Sequence, residues 1–254
     1  MPEERTACRT ALVRHRYSQT RGADDPAVED QESKLSEVEI GTIAIVGGTG
    51  DLGSAIARRL AKAGRRVIVG SRAEPSAKAA AERLGHGITG LANADAAAAA
   101  DIVIVTVPYE AQEGTLAQIA PHVAGKIVVD TTVPLVPPKV MRVQMPAEGC
   151  AALRAQKLLG QGPTVVSAFH NVAAHKLAQE QDVACDVLVF GDSKAAREKV
   201  VTLAGDCGLR GLHAGALANS VSAEALTSVL IFLNKTYAVD GAGIEITGKL
   251  TEPA

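Results

Sequence analysis

Three glycines with the spacing G-x-G-x-x-G are the residues of this chain best suited to chemistry with phosphates. They are Gly48, Gly50 and Gly53. In such a motif the first glycine permits a tight turn, the second lets a pyrophosphate approach the backbone, and the third lets a helix pack closely against a sheet. Backbone N–H groups at the start of that helix face the phosphates, whose negative charge the helix dipole favours. The spacing predicts a dinucleotide site; a glycine-rich turn without a ligand is the alternative.

The residues that end the next predicted strand indicate which dinucleotide is bound. An NAD site carries Asp or Glu there to bind the ribose 2′-hydroxyl, but this chain has Ser71 and Arg72 and no acid before Glu74. A guanidinium binds a 2′-phosphate bidentately and a hydroxyl can donate to it, whereas a carboxylate would repel it. The sequence therefore predicts NADP, and Arg72 as a merely solvated loop charge is the alternative.

The elements that must position these residues form one βαβ unit. The run Thr42–Val46 is apolar and rich in β-branched residues, which is typical of a strand buried on both faces of a parallel sheet. Apolar residues then recur at helical spacing from Leu52 to Leu60, with Gly64 as the stop. A second buried strand, Val67–Val69, leads to the serine and arginine that select the cofactor.

The rest of the chain continues the alternation of strands and helices. Further strands are predicted at 102–107, 126–130, 163–168, 185–190 and 208–213, and further helices at 75–84, 92–100, 109–122, 149–160, 193–205 and 216–238. The helix at 92–100 is almost pure alanine and is interpreted as a short surface helix. The fold class is therefore α/β, with a Rossmann-type parallel sheet. Ligands bind at the carboxyl ends of strands in such sheets, so Thr106, Val107 and Pro108 are expected to form the far wall of the cofactor site. The proline-rich loop 133–148 leaves the same edge, and either a lid or a simple connector fits it.

Polar residues cluster where the strand at 163–168 ends. His170 and His175 are five residues apart, which spreads them around a helix, and no carboxylate or cysteine stands beside them. No metal site is therefore predicted there. His170, nearer the strand end, is the better candidate for ligand contact.

The last predicted helix begins with small residues and continues with an apolar stripe. Its first segment, GALANS at 215–220, can accept a bulky ligand closely. The stripe consists of Leu226, Val229, Leu230 and Leu233, and it is either core or the seam of a dimer.

Composition excludes several classes of protein. The 254 residues carry a net charge of −2, which argues against a surface for nucleic acid or anionic membrane. The cysteines show no metal-ligand spacing and are expected to be reduced, mostly buried thiols of a cytoplasmic protein. No signal peptide and no apolar run of about 18 residues is recognised, so no membrane span is expected. Residues 1–40 have little periodicity and are predicted to be a disordered extension.

Taken together, these segments resemble the NADPH-dependent reductases of the deazaflavin coenzyme F-420 (F420), the F-420:NADP oxidoreductases. The matching segments are GGTGDLG at 47–53, VGSR at 69–72, TVPYE at 106–110, SAFHNVAA at 167–174, GD at 191–192 and GALANS at 215–220. The resemblance implies an NADP-binding Rossmann domain over 41–163 and a smaller α/β domain over 164–254. It further implies a deazaflavin stacked on the nicotinamide between them, and a homodimer.

The resemblance also assigns binding roles to individual positions. The cofactor-binding positions are Gly48, Thr49, Gly50, Asp51 and Leu52 at the pyrophosphate, Ser71 and Arg72 at the 2′-phosphate, and Thr106, Val107, Pro108 and Ala168 along the nicotinamide half. The deazaflavin-binding positions are His170, Asn171, Leu217 and Asn219. One departure concerns the 2′-phosphate, because family members often carry a lysine where this chain has Ser76. Lys78 is the available substitute.

The reaction implied is a direct hydride transfer between nicotinamide C4 and deazaflavin C5. The two cofactors carry that chemistry, while the protein supplies orientation and a water-poor cleft; no general acid or base is assigned. One alternative is another NADPH enzyme on the same fold that reduces a flavin, a metal chelate or an imine. A second is an NADP-sensing binding protein without turnover. The small side chain of Ala168 favours an enzyme, because stacked rings need space over the nicotinamide.

Overall fold

The buried run after Gly41 is strand β1 (Ile43–Val46), and a sheet of eight strands is built outward from it on both sides. The computed structural model describes residues 39–179 and 181–251. The prediction for residues 1–40 therefore falls almost entirely outside the described residues. The other strands, in chain order, are β2 (Val67–Ser71), β3 (Thr89–Ala92), β4 (Ile102–Val105), β5 (Ile127–Asp130), β6 (Thr164–Ser167), β7 (Asp186–Gly191) and β8 (Arg210–His213).

The strand order is β3-β2-β1-β4-β5-β6-β7-β8, and only the β6–β7 pair is antiparallel. Ile43 is in register with Val67 on one side and with Ile102 on the other. The carboxyl ends of β1, β2, β4, β5 and β6 therefore meet at one edge, which is where open α/β sheets bind their ligands.

Within the described residues, seven α-helices connect the strands and an eighth follows β8. They are α1 (Asp51–Lys62), α2 (Glu74–Leu84), α3 (Asn93–Ala99), α4 (Tyr109–Ile119), α5 (Ala151–Leu159), α6 (Ala174–Leu177), α7 (Lys194–Asp206) and α8 (Ser220–Tyr237). Short 3-10 turns extend α4 over Ala120–His122 and precede α8 over Leu217–Asn219. Loop 133–148 contains neither helix nor strand, as predicted.

Strands β1 and β4 are apolar at every position because both faces of the sheet are covered. Ile43 and Ile45 face the cluster that contains Ile56 and Leu60 of α1. Ala44 and Val46 face a second cluster, on the opposite side. The fold class predicted from the sequence, an α/β protein with a Rossmann-type parallel sheet, is thus confirmed.

Two local elements differ from the sequence prediction. The first is strand β3, which was not predicted. Strand β3 contains Gly90, where an added Cβ would lie 2.3 Å from the backbone carbon of Ala77, so glycine lets α2 cross this strand closely. The helix predicted at 92–100 was interpreted as a surface helix, but Ala96 and Ala97 of α3 are fully buried.

Arg59 makes several of the hydrogen bonds that join the C-terminal third to the dinucleotide-type unit. On α1, Arg59 donates from Nε to the carbonyl of Leu177 (2.7 Å) and from Nη1 to that of Cys207 (2.8 Å). Its Nη2 donates to the carbonyls of Gln179 and Gln181. Residues from Glu39 onward form one compact unit, and the boundary predicted between 163 and 164 stays a prediction.

Helix α8 and the turn before it form a long apolar stretch that the composition did not lead us to expect. Among the described residues, Leu217–Tyr237 is the one helical stretch that is long and apolar enough to cross a membrane, with a mean hydropathy of 1.3. From composition, no membrane span is expected. About a third of its apolar window is buried inside the protein, and a single stretch of this kind is weak evidence for a membrane span.

Candidate functional site

The glycine turn between β1 and α1 depends on one left-handed residue and on two close approaches. Gly47 has φ +77°, so the left-handed residue of the turn precedes Gly48, to which the sequence had assigned that task. An added Cβ on Gly48 would lie 2.7 Å from the carbonyl oxygen of Ile45, and one on Gly53 would lie 2.4 Å from Thr106 Oγ1. Glycine at these positions is required by the protein's own packing.

Gly50 is the exception, because it faces open space. The nearest protein atom to an added Cβ there is 3.6 Å away. Gly50 is also the N-cap of α1 and supplies no side-chain hydrogen bond to the helix, so backbone N–H groups of the first turn are available to an anion. Thr49, Gly50 and Asp51 are all exposed. This part of the turn therefore fits a pyrophosphate.

The positions predicted to bind the 2′-phosphate lie at the carboxyl end of β2. Ser71 is the last residue of that strand, and Arg72 is exposed. Within the part of the chain that the structure describes, the Arg72 side chain has no hydrogen bond or ion pair. Lys78 pairs with Glu74 at 2.8 Å, and this contact raises the pKa of the lysine. The free guanidinium suits a phosphate, whereas Lys78 is engaged by a carboxylate.

The structure brings the far-wall residues against the glycine turn. Thr106 donates from Oγ1 to the carbonyl of Val46 at 3.0 Å. An added Cβ on Gly47 would lie 2.6 Å from Val107 Cγ1. Pro108 is exposed and is the N-cap of α4, without a side-chain cap. The two segments that the sequence assigned to the cofactor thus share one edge of the sheet.

The segment after β6 is buried. Ala168 has no exposed surface and donates its N–H to the carbonyl of Asp130 at 3.2 Å. Phe169, 1% exposed, has φ +66°, a conformation that costs about 1–3 kcal/mol in a bulky residue and that clusters at functional sites. His170 is buried, and its Nε2 is 2.8 Å from Ser167 Oγ. Burial lowers the pKa of His170 to about 3, so its ring is neutral.

The remaining residues predicted to bind the deazaflavin lie on or against α8. Asn171 is buried and donates from Nδ2 to the carbonyl of Ala223 (2.9 Å) and to Thr227 Oγ1 (3.1 Å). Leu217 is fully buried in a cluster with Cys150, Ala152 and Val165. Asn219 is exposed and donates to the carbonyl of Ala214. Of these predicted residues, Asn219 therefore presents its side chain to solvent, while the others form the layer beneath.

Three buried polar residues beside this site were missed by the sequence analysis as functional candidates. Asp130 ends β5, has no exposed surface, and accepts hydrogen bonds from Gln112 Nε2 (2.8 Å) and Thr132 Oγ1 (2.6 Å). Glu224, on α8, is 1% exposed and accepts from the backbone of α5. Burial raises the pKa of Asp130 to about 6 and that of Glu224 to about 7. An acid at the end of a buried strand is a signal that could have identified Asp130 from the sequence. Nothing in the local sequence pointed to Gln112 or Glu224.

Metal ligation finds no support in the side chains. Within residues 39–179 and 181–251, no group of three or more His, Cys, Asp and Glu side chains could hold an ion. His175 instead contacts Asp240 at 2.8 Å. The cysteines of the described part, Cys150, Cys185 and Cys207, are free and buried as predicted.

The sheet order and the glycine turn define the class of this protein: an α/β protein with a Rossmann-type dinucleotide-binding unit. A family model described as "NADP oxidoreductase coenzyme F420-dependent" matches residues 42–134. The F420-dependent NADP reductase of Methanothermobacter thermautotrophicus is 41% identical over 226 residues, which cover 84% of this chain and 97% of that protein. The corresponding reductase of Methanocaldococcus jannaschii is 42% identical over 220 residues, covering 81% of this chain and 97% of that protein.

A solved structure is also similar to this chain. A protein from Arthrobacter sp. FB24, named as a candidate F420-dependent NADP reductase, has a TM-score of 0.70 and 25% sequence identity, covering 81% of this chain and 99% of that one. The chain belongs to the F420-dependent NADP reductase family, which confirms the resemblance carried by its motifs.

Proposed function

We propose that this protein is an oxidoreductase that transfers a hydride directly between NADP(H) and coenzyme F420. The observation that carries the proposal is the identity of about two residues in five to the F420-dependent NADP reductases over 97% of their length. The exposed, uncapped turn at Gly50 and the free guanidinium of Arg72 support NADP as the nucleotide. The matching segments beyond residue 134 support the deazaflavin as its partner.

The cofactor is held by backbone and side-chain groups of the sheet edge. The amides of Gly48 and Gly50 donate to carbonyls of the protein itself, so we assign the pyrophosphate to the remaining amides of this turn, those of Thr49, Asp51 and Leu52. We assign the 2′-phosphate to Ser71 and Arg72. Thr106, Val107 and Pro108 then form the wall along the nicotinamide half, and Ala168 is the small residue under it. When bound, the two rings supply the hydride donor and acceptor.

On the deazaflavin side, the residues divide by exposure. We assign direct contact to Asn219, whose side chain is accessible. His170, Asn171 and Leu217 are buried, and we assign them the task of fixing the surface on which the deazaflavin lies. A neutral His170 cannot act as a cationic proton donor, which agrees with a transfer that needs no general acid.

The test of the proposal follows the hydride itself. NADPH deuterated at C4 is expected to deliver its label to C5 of F420 without exchange with water, as read by mass spectrometry and NMR of the product. FMN and ferric citrate, offered in parallel, are the controls for the flavin- and metal-reductase alternatives. Loss of the label to solvent, or rapid FMN turnover with none of F420, would contradict the proposal. Binding of NADPH without turnover of any acceptor would favour the sensing protein.

We further propose that the protein acts in the cytoplasm as a homodimer joined through the outer face of α8. The predicted apolar stripe divides in the structure, because Leu230 points into the core while Val229 is 42% exposed. Phe232 is 51% exposed, and it lies with Val221 and Val229 along one side of the helix. Large apolar side chains that share an exposed helix face mark interaction surfaces.

Replacing Phe232 by Glu is expected to convert the dimer into a monomer. The substitution places a charge in the apolar seam, and desolvating that charge would cost several kcal/mol. Light scattering coupled to size-exclusion chromatography measures the mass. Leu158→Glu is the matched control, because Leu158 is 40% exposed on a different helix, α5. An unchanged dimer mass for Phe232→Glu would place the interface elsewhere.

A further inference from the structure

Glu224 caps a helix that lies far from it in the sequence. Its Oε2 accepts from the backbone N–H of Ala151 at 2.6 Å, and its Oε1 accepts from that of Ala152 at 3.1 Å. These are the first two residues of α5, whose opening amides have no partner within the helix. The ionised carboxylate is suited to this place, because the amino end of a helix favours negative charge.

The same carboxylate holds the segment that leads into α8. Ser220 donates from Oγ to Glu224 Oε1 at 3.3 Å, and Ser220 Oγ is 3.1 Å from Cys150 Sγ. Leu217 packs against Cys150 and Ala152 in the same place. The position of the turn Leu217–Asn219 relative to α5 therefore depends on Glu224.

A second chain of hydrogen bonds leads from α5 to the nicotinamide side. The Nε2 group of Gln112 donates to the carbonyl of Ala151 at 3.1 Å and to Asp130 Oδ2 at 2.8 Å. Asp130 in turn accepts, through its backbone carbonyl, the N–H of Ala168. Glu224 and Ala168 are thus connected through α5, Gln112 and the end of β5.

We propose that Glu224 is a positioning residue for the hydride transfer: by capping α5 and holding Ser220, it fixes the turn 217–219, and with it Asn219, relative to the nicotinamide side of the site. The proposal rests on the function proposed above. Glu224 touches neither cofactor in this arrangement, so it acts through the segment that it holds.

The charges around Glu224 make this positioning dependent on pH. Two titratable groups interact with it from the packed elements: Asp130 of β5 and the Cys150 thiol before α5. Burial, with the charge of Asp130, raises the pKa of Glu224 to about 7, and burial raises that of the Cys150 thiol. Above that pKa the ionised carboxylate accepts from both amides. Below it, one oxygen carries a proton and accepts less well, so the turn is held less firmly as the pH falls.

The experiment compares Glu224→Gln with the wild type in binding F420 and NADPH, by fluorescence titration. At about pH 8 the variant is expected to bind F420 about tenfold more weakly, the size of one lost hydrogen bond to a charged group. At about pH 6, where wild-type Glu224 is itself protonated, the ratio of the two F420 dissociation constants should fall to about two. Taking this ratio cancels any titration of F420 itself. The NADPH dissociation constants of the variant and the wild type should agree within about twofold at both pH values.

Two further variants keep the test decisive. Ser220→Ala removes one contact of Glu224 while leaving the helix cap, so weaker F420 binding with unchanged NADPH binding is expected even if Glu224→Gln folds poorly. Glu82→Gln, a substitution at an exposed position on α2, should leave the dissociation constants of both F420 and NADPH unchanged.

Three outcomes would overturn the proposal. An F420 ratio that does not change with pH, or equal losses for both ligands, would show a merely structural role. Normal F420 binding by a folded Glu224→Gln protein would show that Glu224 does not position the F420 side of the site. Failure of the wild type to bind F420 at all would overturn the proposed function first, and this inference with it.

Discussion

Replacing Arg72 by Ala is expected to abolish most of the preference for NADPH over NADH. In the wild type we expect NADPH to bind at least about tenfold more tightly, a difference of about 1.4 kcal/mol. The reason is that the Arg72 guanidinium is exposed and has no partner among the described residues, so it is free to bind the 2′-phosphate bidentately. The variant should lose NADPH affinity and keep its NADH affinity, as measured by calorimetric titration of both nucleotides.

The control for Arg72→Ala is Arg83→Ala, which removes an exposed arginine from the last turn of α2. This variant should leave the dissociation constants of NADPH and NADH unchanged. Lys78→Ala offers a further comparison, because Lys78 is paired with Glu74 and should contribute less than Arg72. Equal dissociation constants for NADPH and NADH in the wild-type protein would contradict the assignment of Arg72.

Replacing Gly50 by Val is expected to abolish NADPH binding while leaving the fold intact. Its backbone, with φ −78° and ψ 170°, is open to any residue, and the nearest atom to a new Cβ is 3.6 Å away. The space that valine fills is therefore the space assigned to the pyrophosphate. We expect a loss of about a hundredfold in NADPH affinity, or about 2.7 kcal/mol, with little change in melting temperature.

Gly53→Val is the matched comparison, because this glycine is closed in by the protein itself. A Cβ there would lie 2.4 Å from Thr106 Oγ1 and 2.8 Å from the Cα of Gly48. The variant should therefore lose thermal stability, as measured by differential scanning calorimetry without nucleotide. If Gly50→Val were the variant that unfolds and Gly53→Val the stable one, the roles given to the two glycines would be wrong.

A direct hydride transfer is compatible with a neutral His170 and with a site to which no general acid is assigned. A hydride that moves directly between two rings leaves the protein the tasks of alignment and exclusion of water. The buried layer of Ala168, Phe169 and His170 is suited to both, since it is apolar or neutral and held by internal hydrogen bonds. The strained φ of Phe169 lies where β6 leaves the sheet, at the edge where the two rings would meet.

The sequence by itself determined the dinucleotide-binding half of this protein. The apolar run of β1, the helical spacing from Leu52 to Leu60 and the glycine motif are short-range patterns, and each reports on its own few residues. The choice of NADP needed only Ser71 and Arg72, because these residues directly follow a strand whose end was already predicted. For the same reason most helices and strands were predicted to within a few residues.

Only the tertiary structure decided how the second half of the site is arranged. The cap that Glu224 provides to Ala151 joins residues 73 apart in the chain, and the antiparallel pairing of β6 with β7 sets Ser167 beside Phe190. The burial of His170 and Leu217 depends in the same way on elements that arrive later in the sequence. Local spacing contains no information about such contacts, because they arise from how faces of separate elements pack, and that packing exists only once the whole sheet has formed.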